Sequence, residues 1–184
     1  RVGGRGESHV EALAQPVYSR WRNSEPAVET TVLASPGLVE LHLSTRTASR
    51  TAAESVLDTA TTELEEVLGN HLFSADGRSL PEVVGGLLEQ KGFYVAIGES
   101  CTGGLVAASL IDVPGSSRYV RGGFIAYGDD VKMSVLSVSA ELLDSDGAVS
   151  ESVALAMAEG ARQLVSANVG IGVTGVAGPG GGSE

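Results

Sequence analysis

Apolar residues in the first 74 positions recur at two different spacings. Spacings of three and four are typical of a helix with one buried face, and alternation is typical of a half-buried strand. The helical spacing covers Glu7 to Trp21 and Thr51 to Leu68. The alternating spacing covers Val28 to Leu33 and Leu38 to Leu43. The pattern therefore predicts a small α+β module made of a helix, a hairpin and a second helix.

The pattern changes after a polar connection, Ser74 to Ser79, which predicts domains at 1–74 and 79–184. Short runs of strand type then alternate with helical runs. The predicted strands are Phe93 to Ile97, Tyr119 to Tyr127 and Val169 to Thr174. One predicted helix begins after Ser79. Three more cover Leu105 to Ile111, Val131 to Leu136 and Ser152 to Val165. Leu142 to Ala148 is predicted as a short segment with a turn. Such alternation favours a three-layer α/β/α domain with a mostly parallel sheet.

The stretch around Ser100 combines a strand, a small polar turn from Gly98 to Gly104, and a helix for which Thr102 is a plausible N-cap. This layout exposes a side chain and backbone N–H groups at one edge of a sheet, where a helix N-terminus attracts anions. It is similar in principle to a nucleophile elbow, although Gly-x-Ser-x-Gly is absent. A purely structural turn is an equally good interpretation of the layout alone.

Three predicted strands end in unusual residues: Glu99 to Gly104, Tyr127 to Lys132, and Thr174 to Gly182. Ligand sites of parallel sheets lie at the carboxyl ends of the strands. If these strands are neighbours with one direction, all three ends meet at one pocket. This convergence carries more weight than any single motif.

Ser100 is the first candidate nucleophile, and a hydroxyl needs a base to take its proton. No histidine lies in the three segments, and Lys132 is their basic side chain. A lysine accepts a proton where its surroundings favour the neutral amine. Tyr127 would then relay a proton or orient the pair. The competing interpretations are a surface lysine for Lys132 and a core aromatic for Tyr127.

Cys101 is a rival nucleophile, ranked below Ser100 because no histidine partner is in view. The glycine-rich loop from Gly175 to Gly182 could approach a ligand closely or serve as a flexible turn, and it lacks the Lys-Ser/Thr ending of a P-loop. Backbone N–H groups for an oxyanion or a phosphate, or simple capping, are offered by Thr102, Gly103 and Gly104.

Composition narrows the function further. The chain has 184 residues and a net charge of −11, which argues against binding nucleic acid through bulk electrostatics. One cysteine excludes an internal disulfide and fits a reducing compartment. No signal peptide opens the chain, and no apolar run is long enough for a transmembrane helix, so a cytoplasmic location is expected. The scattered histidines predict no metal site. Both ends of the chain look like cuts in a longer protein.

Several motifs occur in a fixed order across residues 79–184. Together they resemble the C-terminal domain of the CinA (competence/damage-inducible) family, and residues 1–74 look like the small KH-like module that precedes it. The motifs are Glu99-Ser-Cys-Thr-Gly-Gly104, Asp112-Val-Pro-Gly-Ser-Ser117, Arg121-Gly-Gly-Phe-Ile-Ala-Tyr127 to Lys132, Gly147-Ala-Val-Ser150, Met157-Ala-Glu-Gly160 and Gly172-Val-Thr-Gly-Val-Ala-Gly-Pro-Gly-Gly-Gly182.

The resemblance implies a nicotinamide mononucleotide (NMN) deamidase of pyridine-nucleotide salvage that needs no cofactor and forms a homo-oligomer. It implies that Ser100 attacks the amide carbon, that Lys132 is the base and that Tyr127 assists. The turn at Thr102–Gly104 would bind the oxyanion or substrate. Further substrate contacts are expected from Arg121, Gly178, Gly180 and Gly181.

Two departures keep other functions open. Asp129 stands where the family usually has Asn, and the family's N-terminal molybdopterin-binding-like domain and the end of its C-terminal domain are absent from this sequence. The alternative is a nucleotide-binding or regulatory module without turnover. RNA binding by residues 1–74 is disfavoured because no Gly-x-x-Gly clamp flanked by basic residues lies between the helices.

Overall fold

The computed structural model describes residues 1–178 and Gly180. The chain forms two compact units, residues 1–83 and 84–184. The division falls within a helix, a few residues after the polar connection that the sequence marks as the domain boundary. The domain limits 1–74 and 79–184 stay predictions.

The first unit is a three-stranded antiparallel sheet with two helices, in the strand order β1–β3–β2. Its core is aliphatic and joins the sheet to both helices through residues such as Val10, Val39 and Leu64. The elements are β1 (Val2–Gly3), α1 (Glu7–Arg22), β2 (Val28–Ser35), β3 (Leu38–Thr45) and α2 (Arg50–Leu68), followed by a 3₁₀ turn (Gly69–His71). The predicted helix–hairpin–helix order is confirmed, and both strands extend two residues past their predicted ends.

The second unit alternates helices and strands along the chain. Its elements are α3 (Leu80–Lys91), β4 (Val95–Glu99), α4 (Leu105–Ile111), a 3₁₀ turn (Ser116–Arg118), β5 (Val120–Ile125), α5 (Asp129–Leu136), α6 (Ala140–Asp146), α7 (Glu151–Leu164) and β6 (Val169–Val173).

The three strands of this unit form a parallel sheet with β4 between β5 and β6. All five residues of β4 are buried, as expected for a central strand covered on both faces. One face packs against a core with Leu136 and Met157, from α5 and α7. The other face packs against Leu88 and Leu110, from α3 and α4. The predicted α/β class with a parallel sheet between helices is confirmed.

Helix α7 lies unusually close to the sheet because glycines face it. A Cβ atom on Gly172 would stand 1.9 Å from the carbonyl oxygen of Ala154, and one on Gly170 would stand 2.1 Å from that of Ala158. These distances are far below any real contact, so β6 accepts α7 only with glycine at these positions. The close packing fixes β6 against the helix and thereby fixes the end of β6 next to β4.

Several element limits in the second unit differ from the predictions. β4 begins two residues later than predicted and ends at Glu99 instead of Ile97. β5 ends at Ile125, although Ala126 N–H still donates to the Glu99 carbonyl at 2.7 Å. The segment predicted as short and turned contains the helix α6, capped by the Ser139 hydroxyl. Hydrogen bonding between parallel neighbours sets the limits of β4 and β5. The spacing of apolar residues within one strand does not reveal where that bonding starts and stops.

Candidate active site

The carboxyl ends of β4, β5 and β6 meet at one edge of the parallel sheet. Glu99 is paired with Ile125 on one side and with Val173 on the other. The pairing continues one step further, because Ser100 N–H donates to the Val173 carbonyl at 2.9 Å. The strand ends that the sequence singles out therefore lie side by side.

Ser100 is the first residue after β4 and is only 6% exposed. Its N–H is bound to β6, and its carbonyl accepts the N–H of Gly103 at 3.1 Å. Within the described part of the chain, its hydroxyl forms no hydrogen bond. The backbone of Ser100 is thus fixed while its Oγ atom has no hydrogen-bond partner among these residues.

Lys132 lies in the first turn of α5 and is 2% exposed, so the interpretation as a surface lysine is wrong. Its side chain folds back towards the start of the helix, where Nζ donates to the Tyr127 carbonyl at 2.8 Å and to Asp129 Oδ1 at 3.1 Å. A buried ammonium needs such acceptors, because removing an unpaired charge from water is very costly. No hydrogen bond joins Lys132 Nζ to Ser100 Oγ in this structure.

Tyr127 follows β5 at the same edge, and its residue is 66% exposed. The interpretation as a core aromatic is therefore wrong. Its hydroxyl makes no hydrogen bond to any residue that the structure describes. The tyrosine thus presents a ring and a hydroxyl to solvent beside the strand ends.

Glu99, the last residue of β4, is a site residue for which sequence reasoning gave no role. It is 1% exposed, and its carboxylate accepts N–H groups from Gly104 (3.1 Å), Val106 (3.1 Å) and Ala107 (2.8 Å). Burial works to raise the pKa of this carboxyl, but the Thr102 side chain and the three N–H groups outweigh it and lower the pKa below 4.5. The available signal was one carboxylate in the polar turn between an apolar strand and a helix.

The turn after Ser100 differs from the prediction in its capping. The N-cap of α4 is Gly104, in the left-handed region at φ 100°, and not Thr102. The Thr102 hydroxyl is buried without a well-aligned hydrogen bond among the described residues. Gly103 N–H is used by Ser100 and Gly104 N–H by Glu99. Of the three N–H groups predicted to bind an oxyanion, only that of Thr102 has no acceptor within residues 1–178 and Gly180. The N–H group of Cys101, which was not among the three, also has no acceptor there.

The glycine-rich loop starts beside this turn. Gly175 lies against Cys101, since a Cβ atom at this glycine would be 3.0 Å from the cysteine sulfur. Cys101 itself is half-buried. Further along, Gly178 has a positive φ of 72°, and both it and Gly180 are exposed. Gly181, also predicted to contact substrate, lies outside the described residues.

Arg121 is not brought to Ser100. It is the second residue of β5, and its guanidinium carbon lies 3.8 Å from the ring centre of Tyr94. Ile125, at the site edge, comes four residues later, which corresponds to about 13 Å along a strand. The arginine therefore lies at the opposite edge of the sheet.

Two features of the described residues bear on ligand binding. One cleft of about 350 Å³ lies in the first unit between β3 and α2, and it contains none of the predicted site residues. No three metal-ligating side chains come together in the portion of the chain that the structure describes. None of the helices there has the length and apolar character needed to cross a membrane.

The fold and the strand-end residues define a parallel α/β domain with a candidate serine–lysine site. Residues 77–184 match the family model described as the CinA C-terminal domain. This match covers more than half of the chain, and the chain belongs to the CinA family.

Similar proteins agree with this assignment. A CinA-like protein of Koribacter versatilis is 41% identical over all 184 residues, which are 44% of its own length. A CinA-like protein of Crocosphaera subtropica is 43% identical over the whole chain and 43% of its own length. The chain therefore spans less than half the length of these curated relatives.

Solved structures give the same result. The competence damage-inducible protein A of Klebsiella pneumoniae aligns over 56% of this chain and 64% of its own, with a TM-score of 0.55 and 37% identity. The competence/damage inducible protein CihA of Agrobacterium tumefaciens aligns over 61% of this chain and 68% of its own, with a TM-score of 0.53 and 42% identity.

Proposed function

We propose that this chain carries an amidohydrolase site that converts NMN and water to nicotinic acid mononucleotide and ammonia. The observation that supports it most is the burial of Ser100 and Lys132 at neighbouring strand ends of a CinA-family domain. Burying a hydroxyl and an ammonium together costs stability. Such a cost is typical of functional sites.

The reaction begins with Ser100. Lys132 first releases a proton to solvent, and its neutral amine then takes the Ser100 hydroxyl proton while Oγ attacks the amide carbon of nicotinamide and the carbonyl π electrons move to oxygen. In the resting structure Lys132 is bound to Tyr127 and Asp129. The lysine must therefore leave Asp129 and approach Ser100 when substrate binds. The unused N–H groups of Cys101 and Thr102 donate to the oxyanion.

The tetrahedral intermediate then collapses. Its carbonyl re-forms, the C–N bond breaks and the Lys132 ammonium gives its proton to the departing nitrogen, which leaves as ammonia. The acyl group stays on Ser100. A water molecule, deprotonated by Lys132, attacks this ester, and the proton returns to Ser100 Oγ as the acid is released. The exposed Tyr127 hydroxyl assists these proton transfers.

The remaining substrate contacts follow from the strand ends. Gly178 and Gly180 lie in the loop after β6 and allow close backbone approach to the nucleotide, and Gly181 is proposed with them. Arg121 fits this role poorly because it lies at the other edge of the sheet. Homo-oligomer formation and a cytoplasmic location stay predictions.

Ammonia release from NMN tests the proposal. Wild-type chain should release ammonia and form the acid, and Ser100→Ala should reduce kcat by roughly 1,000-fold or more, because a hydroxyl nucleophile has no substitute. Ser109→Ala is the matched control, since this exposed serine on α4 bonds only to a backbone carbonyl of its own helix. Cys101→Ala separates the rival nucleophile and should keep activity within about threefold. Full activity of Ser100→Ala would refute the mechanism.

One observation favours a second candidate, a nucleotide-binding or regulatory module without turnover. Asp129 Oδ1 lies 3.1 Å from Lys132 Nζ, and this contact holds the amine in a pairing that does not involve Ser100. Under this alternative, calorimetry detects NMN binding while no ammonia appears on long incubation. Asp129→Asn would then create turnover that the natural sequence lacks.

A further inference from the structure

Glu99 stands immediately before the candidate nucleophile, yet its carboxylate is unsuited to act as the base for Ser100. Both of its oxygens are occupied, Oε2 by two N–H groups and Oε1 by a third. The donors all come from the start of α4, so the side chain reaches across the turn. No lysine, arginine or histidine among the described residues forms an ion pair with it. The Glu99 carboxylate therefore holds the backbone at the start of α4 in place.

Capping alone does not require such a residue. Helices α2, α6 and α7 are capped by serine hydroxyls directly before their first residues, namely Ser49, Ser139 and Ser150. These caps are local, exposed or half-buried, and carry no charge. Helix α4 instead has glycine at its N-cap and takes its acceptor from the end of a buried strand. Burying a carboxylate is costly, and one serine hydroxyl is enough to cap each of the other three helices.

The difference lies in what the bond encloses. The Glu99 carboxylate accepts N–H groups as far along the chain as Ala107 and so closes a loop of backbone. Ser100, Cys101 and Thr102 lie within this loop. The same segment is tied to β6 by Ser100 N–H and to β5 by the Glu99 carbonyl. These bonds fix the backbone that carries Ser100 and the N–H groups of Cys101 and Thr102.

We propose that Glu99 is a positioning residue, whose buried carboxylate holds the turn that carries Ser100 and its oxyanion donors in the reactive arrangement. The expected effect of Glu99 on turnover rests on the proposed function. Its expected effect on the order of the turn rests on the geometry alone. The carboxylate does not touch substrate. It acts through the backbone of the turn.

The lowered pKa of Glu99 supports this role. A carboxyl whose pKa is lower in the folded protein than in the unfolded chain stabilises the fold above the unfolded value, and the stabilisation is lost as pH falls through the folded value. The turn should therefore stay ordered down to a pH below 4.5, where ordinary glutamates already take up protons.

Glu99→Gln is the decisive variant because it keeps the shape and removes the charge. We expect kcat for NMN to fall by about 10- to 100-fold while KM changes less than about threefold, since the residue positions the nucleophile without binding substrate. Glu99→Asp keeps the charge on a shorter side chain and should recover part of the loss. Glu151→Gln removes an exposed carboxylate from the first turn of α7 and serves as the matched control, with unchanged kcat. A wild-type kcat in Glu99→Gln would overturn the inference.

Amide NMR of the same variants separates this inference from the deamidase proposal. In the wild type, the amide signals of Gly104, Val106 and Ala107 should titrate together with one midpoint below pH 4.5. In Glu99→Gln this titration should vanish, and hydrogen exchange at the three amides and at Ser100 should become at least tenfold faster. If the wild type has no turnover, the deamidase proposal fails and these signals still decide the role of Glu99. Unchanged exchange at Ser100 would overturn it.

Discussion

The antiparallel sheet of the first unit and the parallel sheet of the second place different side chains in their interiors. In the first, the buried strand positions are aliphatic, as in Val28 and Val39. In the second, the central strand ends in Glu99 and is followed by the buried Ser100, and Lys132 is buried after the next strand. Antiparallel strands bring alternate ends to each edge, whereas parallel strands bring all their carboxyl ends together. The parallel sheet can therefore gather several polar groups at one edge.

The two groups of buried residues contribute differently to stability and to function. The buried valines contribute to the fold through apolar area removed from water. The buried serine, glutamate and lysine oppose burial by their desolvation and need donors or acceptors to offset it. If the second group is retained for chemistry, its removal should affect turnover far more than stability. Three variants test this contrast.

Lys132→Met should give the largest effect. Turnover of NMN should fall by roughly 100- to 10,000-fold, because proton transfer to a positioned base is lost. The free energy of unfolding should stay within about 1 kcal/mol of the wild type or rise, because methionine fills the space without a desolvation cost and Asp129, 58% exposed at its side chain, returns to water. Urea denaturation and an ammonia assay measure the two quantities.

Lys91→Met supplies the control for this variant, since Lys91 is exposed in the last turn of α3 and has no role in the site. It should change neither quantity. If Lys132→Met instead unfolded the protein while retaining specific activity in its folded fraction, the lysine would be a structural residue. The contrast between the two sheets would then have to be given up.

Gly172→Ala should give a smaller effect on turnover and a large one on stability. Its Cβ would stand 1.9 Å from the carbonyl oxygen of Ala154, so α7 has to move away from β6. A loss of about 3 kcal/mol or more in unfolding free energy is expected. Gly6→Ala is the counterpart in the first unit, where a Cβ has no atom within 4 Å, and it should cost below about 1 kcal/mol. Equal losses in urea denaturation would contradict the close packing.

Much of this fold could be predicted from the sequence because each element carries its own periodicity. The alternation in β2 and β3 and the helical spacing in α1, α2 and α7 depend on burial of one face. The convergence of strand ends followed from the alternating order of elements. The limits of β4 and β5 could not be predicted to the residue, since hydrogen bonds to neighbouring strands decide them.

The site was predictable in its residue types but not in its contacts. Lysine in a first helical turn is usually solvated, and the burial of Lys132 depends on a side chain that points back towards the N-terminus and meets Tyr127 O. Glu99 was visible as a carboxylate in the polar turn directly after an apolar predicted strand. Its role depends on three N–H groups of the following helix. The sequence does not show that Gly104 is the N-cap of this helix in place of Thr102, or that the Glu99 carboxylate accepts the N–H groups.

Arg121→Ala should give the smallest effect of the three. The sequence itself put Arg121 near the start of its predicted strand, and the structure places it over the Tyr94 ring at the edge opposite Ser100. The KM for NMN should change less than about twofold, because a charge about 13 Å away along the strand and open to solvent is largely screened. Stability should fall by roughly 0.5–1 kcal/mol through loss of the cation–π contact. A KM increase of tenfold or more, measured with stability unchanged, would mean that Arg121 does reach the substrate phosphate, and the assignment of binding to one edge of the parallel sheet would be wrong.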